Sequence, residues 1–113
     1  MQYKIEILTT FKKEFKRLSK RYPSLLNDLK ALRNEIYVNP QLGIALGGDL
    51  RKIRMKITSK GRGKSGGARV ITFTVVVSVD ETEINLLYLS DKSERDSITP
   101  KEIEELLHKN GLK

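Results

Sequence analysis

Between Arg51 and Arg69 the chain reads RKIRMKITSKGRGKSGGAR, with eight cations (Arg51, Lys52, Arg54, Lys56, Lys60, Arg62, Lys64 and Arg69) and no carboxylate. The fourteen Lys and Arg elsewhere balance the 14 Asp and Glu, so the formal charge of +8 belongs to these nineteen residues. Closely spaced cations stabilise negative charge gathering on a phosphoryl group, and repulsion within such a cluster can prepare a lysine to act as a base. The chain has no cysteine, a single histidine (His108) and no acidic cluster in the basic stretch, so nucleophilic triads and protein-ligated metal centres lack their parts. RNA cleavage requires less. The substrate's 2′-hydroxyl is already the nucleophile; a protein need only align it, stabilise the charge on phosphorus and protonate the leaving oxygen. Lys, Arg and Tyr side chains suffice for a slow version of that chemistry.

Composition bounds the scaffold that must hold these residues. At 113 residues, 38% hydrophobic and 32% charged, the chain predicts one globular domain spanning residues 1–113. A pI near 9.8 makes a polyanion the first partner to consider: nucleic acid, an acidic protein or an anionic membrane. The absence of cysteine is consistent with a reducing compartment. The longest uncharged run, Val70 to Val79, is about half of what spans a bilayer. Lys4 and Glu6 interrupt the N-terminus before a signal-peptide core can form, so the cytoplasm is the expected location.

In chain order, Tyr3, Ile5 and Ile7 alternate with Lys4 and Glu6, predicting a short strand able to join either edge of a sheet. Phe11, Phe15, Leu18 and Tyr22 then recur at helical spacing, with Thr9 or Thr10 as candidate caps. Lys13, Lys16, Arg17 and Lys20 on the opposite side read either as a solvated face or as an auxiliary phosphate-contacting surface. Pro23 ends this helix and is tolerated at the first position of the next. That second helix carries the stripe Leu25, Leu26, Leu29, Leu32, Ile36 and Tyr37, closes at Asn39-Pro40, and must form an antiparallel hairpin with the first. Tyr22 and Tyr37 read as packing rings.

Gln41 to Asp49 reads as a glycine-bearing loop, after which Ile53, Met55 and Ile57 alternate with Lys52, Arg54 and Lys56. Burying the apolar row turns the three cations to the other face, spaced about 7 Å apart along the strand. Ser59 to Gly67 is a loop in which two nucleotide motifs are nearly written. Gly61, Gly63 and Gly66 spell GxGxxG, but a strand follows where the dinucleotide fingerprint needs a helix. Gly63-Lys64-Ser65 imitates the end of a phosphate-binding loop, yet Thr58 stands where that loop needs its first glycine. A flexible hairpin connection carrying Lys60, Arg62 and Lys64 remains, able to bring backbone and cations close to a sugar-phosphate chain.

Ala68 to Val79 is apolar on both parities, which predicts a central strand. Asp80-Glu81-Thr82 turns the chain and Ile84 to Leu89 returns, so Arg69, Tyr88 and Lys92 converge beside the cationic strand. Thr99-Pro100-Lys101-Glu102 is a capping box opening a short helix with Ile103, Leu106 and Leu107 inward, stopped at Asn110-Gly111. His108 on this helix reads as structural or solvated.

The order strand, helical hairpin, antiparallel strands resembles the RelE/ParE superfamily of bacterial type II toxins. The runs NPQLG (Asn39 to Gly43), GGDLRKIR (Gly47 to Arg54), KGRGKSGGARVI (Lys60 to Ile71) and LLYLSDKSE (Leu86 to Glu94) are similar to its HigB-like branch over almost the whole chain. The resemblance implies an α+β, microbial RNase-like fold: an N-terminal strand, a two-helix hairpin on a mainly antiparallel sheet of about four strands, and a short C-terminal helix. It implies a toxin that enters the ribosomal A site and cuts translated mRNA without metal or cofactor. A cognate antitoxin is the implied protein partner, with DNA contacted only indirectly through it and no membrane role. By position, Lys52, Arg54, Arg69 and Lys92 match the family's catalytic cations, with Arg69 on the scissile phosphate. Lys56, Lys60, Arg62 and Lys64 are the RNA-binding set. Relatives place a tyrosine at the position of Ser90 or farther on, where this chain has Ile98 and Thr99; Tyr88, on the same strand face as Ser90, is the candidate substitute. Two other readings stay open: a ParE-like DNA gyrase inhibitor acting by binding, and a non-catalytic RNA-binding module.

Overall fold

A computed structural model describes residues 2–95 and 97–113. Strand β1 (Gln2–Ile7) leads into helices α1 (Thr9–Ser19) and α2 (Leu25–Val38). Strands β2 (Ile44–Gly47), β3 (Leu50–Met55), β4 (Ala68–Val76) and β5 (Glu81–Asp91) follow, and helix α3 (Pro100–Lys109) comes last. The architecture is α+β, with one sheet in the order β1-β5-β4-β3-β2. β1 takes the β5 edge and runs parallel to it, whereas every other neighbouring pair is antiparallel.

The sheet has five strands because β2 forms inside the segment expected to be loop. Its four residues are all exposed, so no burial pattern marks it. The turn marks it instead: Gly47, Gly48 and Asp49 all have positive φ (90°, 56° and 66°), a geometry that glycine adopts without a Cβ clash and that folds β2 back on β3.

Each face of the sheet buries a separate cluster. On one, Phe11, Leu18, Tyr22, Leu25, Leu29, Leu32 and Ile36 of the helical hairpin region pack on Ile53, Met55, Val70, Leu86 and Leu89. On the other, Ile103 and Leu107 of α3 pack on Ile71 and Leu87. Each fully buried Leu or Ile contributes about 2 kcal/mol by leaving water. A bulge in β5 lets that strand serve both clusters: Ile71 opposes Tyr88 and Thr72 opposes Leu86, which leaves Leu87 as the extra residue.

The bulge also explains a departure at the start of α1. Neither Thr9 nor Thr10 caps it; Leu8 occupies the cap position with no side-chain bond, and Thr10 Oγ1 donates to the Leu87 carbonyl at 2.6 Å. Pro23 lies in the turn before α2, which starts only at Leu25. Tyr22 is buried as expected, but Leu26 and Tyr37 are half exposed, so the α2 stripe is narrower than its sequence suggests. β4 stops at Val76, leaving Val77 and Val79 exposed, and the turn precedes Glu81. The α3 capping box is present in full, with Thr99 accepting from the Glu102 amide and Glu102 from the Thr99 amide. No helix among the described residues is long and apolar enough to cross a membrane.

Candidate nucleic-acid interface

Strand alternation places Lys52 and Arg54 on the α3 side of the sheet, because Ile53 and Met55 are buried against α1 and α2. Arg54 lies directly opposite Arg69, and Arg69 opposite Ser90; Lys52 lies opposite Ile71 and Ile44. Residues opposed in an antiparallel ladder project to the same face, so the cations of β3 and β4 leave the sheet together. Lys92 joins from the turn after β5, where its amide donates to the Gly67 carbonyl at 3.1 Å. The result is a pocket of about 170 Å³ lined by Ile44, Lys52, Arg54, Arg69 and Lys92. Four of the five residues expected to be catalytic therefore meet in one depression.

Its members differ in burial. Arg54 and Lys92 are exposed and Lys52 is half-buried. Arg69 is only 4% exposed, and its guanidinium donates to the carbonyls of Ser65 (3.0 Å), Ala68 (3.2 Å) and Lys64 (3.3 Å). The glycine loop thus wraps back and seats the arginine that follows it. Gly67 makes this approach possible: a Cβ there would stand 2.1 Å from the Met55 carbonyl.

Tyr88, the fifth expected catalytic residue, does not line the pocket. It shares a face with Ser90 but lies beside α3, in a recess with Ile98, Glu102, Glu105, Leu106 and Lys109. Its ring packs against the second hydrophobic cluster, with Ile103 and Leu107 of α3.

The expected RNA-binding set also divides. Lys56 and Arg62 are exposed, while Lys64 is exposed but ion-paired to Glu35 at 2.9 Å. Lys60 turns inward instead of facing solvent. Its side chain is 10% exposed, and Nζ lies 2.6 Å from Asp91 Oδ1, 3.0 Å from the Gly66 carbonyl and 5.4 Å from the Tyr22 ring centroid. Arg51 points away from the pocket and donates to the carbonyls of Leu42 and Gly43. On α1, Arg17 is paired with Glu14 and Glu94, which favours the solvated-face reading at that position. His108 is exposed.

Two buried carboxylates organise the loops and were missed in the sequence. Asp28 accepts from the Thr58 amide (3.0 Å), the Thr58 hydroxyl (2.6 Å) and Ser24 (2.7 Å), tying the β3–β4 connection to α2. Asp91 is fully buried and accepts from Tyr22 (2.5 Å), Lys60 (2.6 Å) and both the amide and hydroxyl of Ser93. Burial pushes its carboxyl pKa up, but the hydrogen bonds from Lys60, Tyr22 and Ser93 outweigh burial and hold it well below the usual carboxylate range. A signal existed for each: Asp28 interrupts the apolar stripe of α2, and Asp91 continues the inward parity of Leu89.

Among the described residues, no group of three or more His, Cys, Asp or Glu is placed to hold a metal ion. No protein-family model matches the chain, and no curated protein matches it in sequence.

Proposed function

We propose that this protein is the toxin component of a type II toxin-antitoxin module, a ribosome-dependent mRNA endonuclease that arrests translation in the cytoplasm. One observation carries the reading: Lys52, Arg54, Arg69 and Lys92, drawn from β3, β4 and the turn after β5, line a single pocket beside a glycine loop. The family resemblance carried by the runs around Gly47, Lys60 and Leu86 supplies the biological setting, including the antitoxin and the ribosomal A site.

In this reading the 2′-oxygen of the RNA attacks phosphorus as the bond to the 5′-oxygen breaks, leaving a 2′,3′-cyclic phosphate and a 5′-hydroxyl. Arg54 contacts a non-bridging oxygen, where a planar guanidinium offers paired donors, and Arg69, its guanidinium held by the loop carbonyls, adds fixed positive charge beside it. In the same reading Lys52 and Lys92, which line the pocket, take the 2′-proton and return one to the 5′-oxygen. A preorganised cation cluster favours the transition state because its charge is already oriented when negative charge develops.

The test is induced expression of wild type and Arg54→Ala with mapping of mRNA 5′ ends. Arg54 is the better probe because Arg69→Ala also removes donors that seat the loop. New 5′ ends within translated codons for wild type, and few for Arg54→Ala, support the proposal. Growth arrest with intact message overturns it, and a loss of gyrase supercoiling in the same cells would transfer the assignment to a gyrase inhibitor.

A further inference from the structure

We propose that Lys60 and Asp91 are positioning residues for the pocket, their buried ion pair holding the loop that seats Arg69 against the turn that carries Lys92. This rests on reading the pocket as a phosphodiester site. The pair lies behind the pocket, on the face where Tyr22 packs, and touches both segments at once. Lys60 Nζ reaches the Gly66 carbonyl, Asp91 Oδ1 and, at 3.3 Å, the Ser93 hydroxyl. Gly66 stands between Ser65, whose carbonyl accepts from Arg69, and Gly67, whose carbonyl accepts from the Lys92 amide. Asp91 immediately precedes Lys92, and its backbone carbonyl accepts from the amides of Glu94 and Arg95, closing the turn. One ammonium group therefore spans the two chain segments that deliver Arg69 and Lys92.

Stability alone is a poor reason for this arrangement. A buried ion pair is often no more stabilising than well-packed apolar residues of the same volume, because desolvation offsets the attraction. What the ion pair adds is direction: bonds from one ammonium to a carbonyl, a carboxylate and a hydroxyl tie two loops in one register. Tyr22 adds to the constraint: its hydroxyl donates to Asp91 and its ring lies under Lys60.

The experiment compares wild type, Lys60→Met, Lys60→Arg and the milder Tyr22→Phe. Its readouts are hydrogen exchange at the Gly66 and Lys92 amides, cleavage on programmed ribosomes, and affinity for an RNA oligonucleotide carrying a 2′-deoxy scissile position. The expected result is faster exchange at those two amides while Ile84 and Leu89 stay protected. The kcat should fall about 10- to 100-fold, the scale of a 1 Å misplacement, with KM and affinity for the 2′-deoxy oligonucleotide weakened by a smaller factor. Lys60→Arg should recover much of the loss, and Tyr22→Phe should fall between wild type and Lys60→Met. Unchanged exchange at Lys92, or cleavage that follows global melting alone, overturns the proposal. If wild type cuts no RNA, the nuclease reading fails separately. Binding of the 2′-deoxy oligonucleotide then decides the positioning role: weakened in Lys60→Met it stands, unchanged it falls.

Discussion

Arg54 and Arg69 face each other directly across the β3–β4 ladder, yet only Arg69 is buried. Like charges placed opposite one another on a sheet cost stability. Here the cost is limited because the Arg69 guanidinium is seated among the loop carbonyls, while Arg54 remains in solvent. The two arginines are thus neighbours with different duties, and substitution separates them.

Arg54→Ala is expected to change unfolding free energy by no more than about 0.5 kcal/mol, the usual range for a surface site. It should weaken single-stranded RNA binding and reduce the slope of log affinity against log salt by about 0.7, the value for one lost phosphate contact. Arg69→Ala should cost about 1–3 kcal/mol, because three carbonyls lose a charged donor. Urea melts and binding titrations at several salt concentrations check both expectations.

Tyr88→Phe should leave cleavage close to wild type, since the ring packs beside α3 and does not line the pocket. Tyr88→Ala should lower stability through lost packing. Single-turnover cleavage beside thermal melts distinguishes this from a catalytic tyrosine, whose loss of the hydroxyl alone would slow the reaction.

Asp91 makes stability sensitive to acid. Its folded pKa lies below its unfolded value of about 3.9, so the stabilisation is fully present above that value and is lost as pH falls below it toward the folded pKa. Asp91→Asn should cost about 3–5 kcal/mol at neutral pH, as expected for breaking a buried pair, and should flatten the acid limb. Urea unfolding between pH 7 and 2 measures both.

Gly67→Ala should be severe and Gly63→Ala mild. A Cβ at Gly67 would collide with the Met55 carbonyl, whereas at Gly63 it meets open space. Forcing β3 and β4 apart should cost at least about 1–3 kcal/mol, while Gly63→Ala should be neutral or stabilising by up to about 1 kcal/mol. Melting temperatures, with the Lys92 amide resonance as a local reporter, provide the check.

Removing the α3 cap by Thr99→Ala should cost about 1 kcal/mol. The bond from Arg95, together with those from Thr99, holds the Glu102 pKa down to about 2, so the box should persist well into the acid range. Circular dichroism of the variant, followed against pH, tests this.

Local patterns were sufficient for much of this protein. Alternation of apolar and cationic residues from Lys52 to Met55 dictated which side chains share a face, because a strand's side chains have no other choice, although the strand stops before Lys56 and Ile57. The capping box at Thr99 is likewise a four-residue device whose partners are all adjacent in sequence. Charge counting alone located the basic stretch between Arg51 and Arg69.

Tertiary structure decided what depends on distant partners. β2 exists through pairing with β3, not through burial, so its composition concealed it and with it the contribution of Ile44 to the pocket. Lys60 and Arg62 are equivalent in the sequence, two cations in one glycine loop, yet Lys60 finds a buried carboxylate 31 residues away and Arg62 stays in water. Tyr88 shares the face of Ser90, as alternation requires, but whether its ring joins the pocket or the α3 cluster is decided by where α3 packs. Cation identity is a property of the chain, but whether a cation meets solvent, a carbonyl or a carboxylate is set by long-range packing.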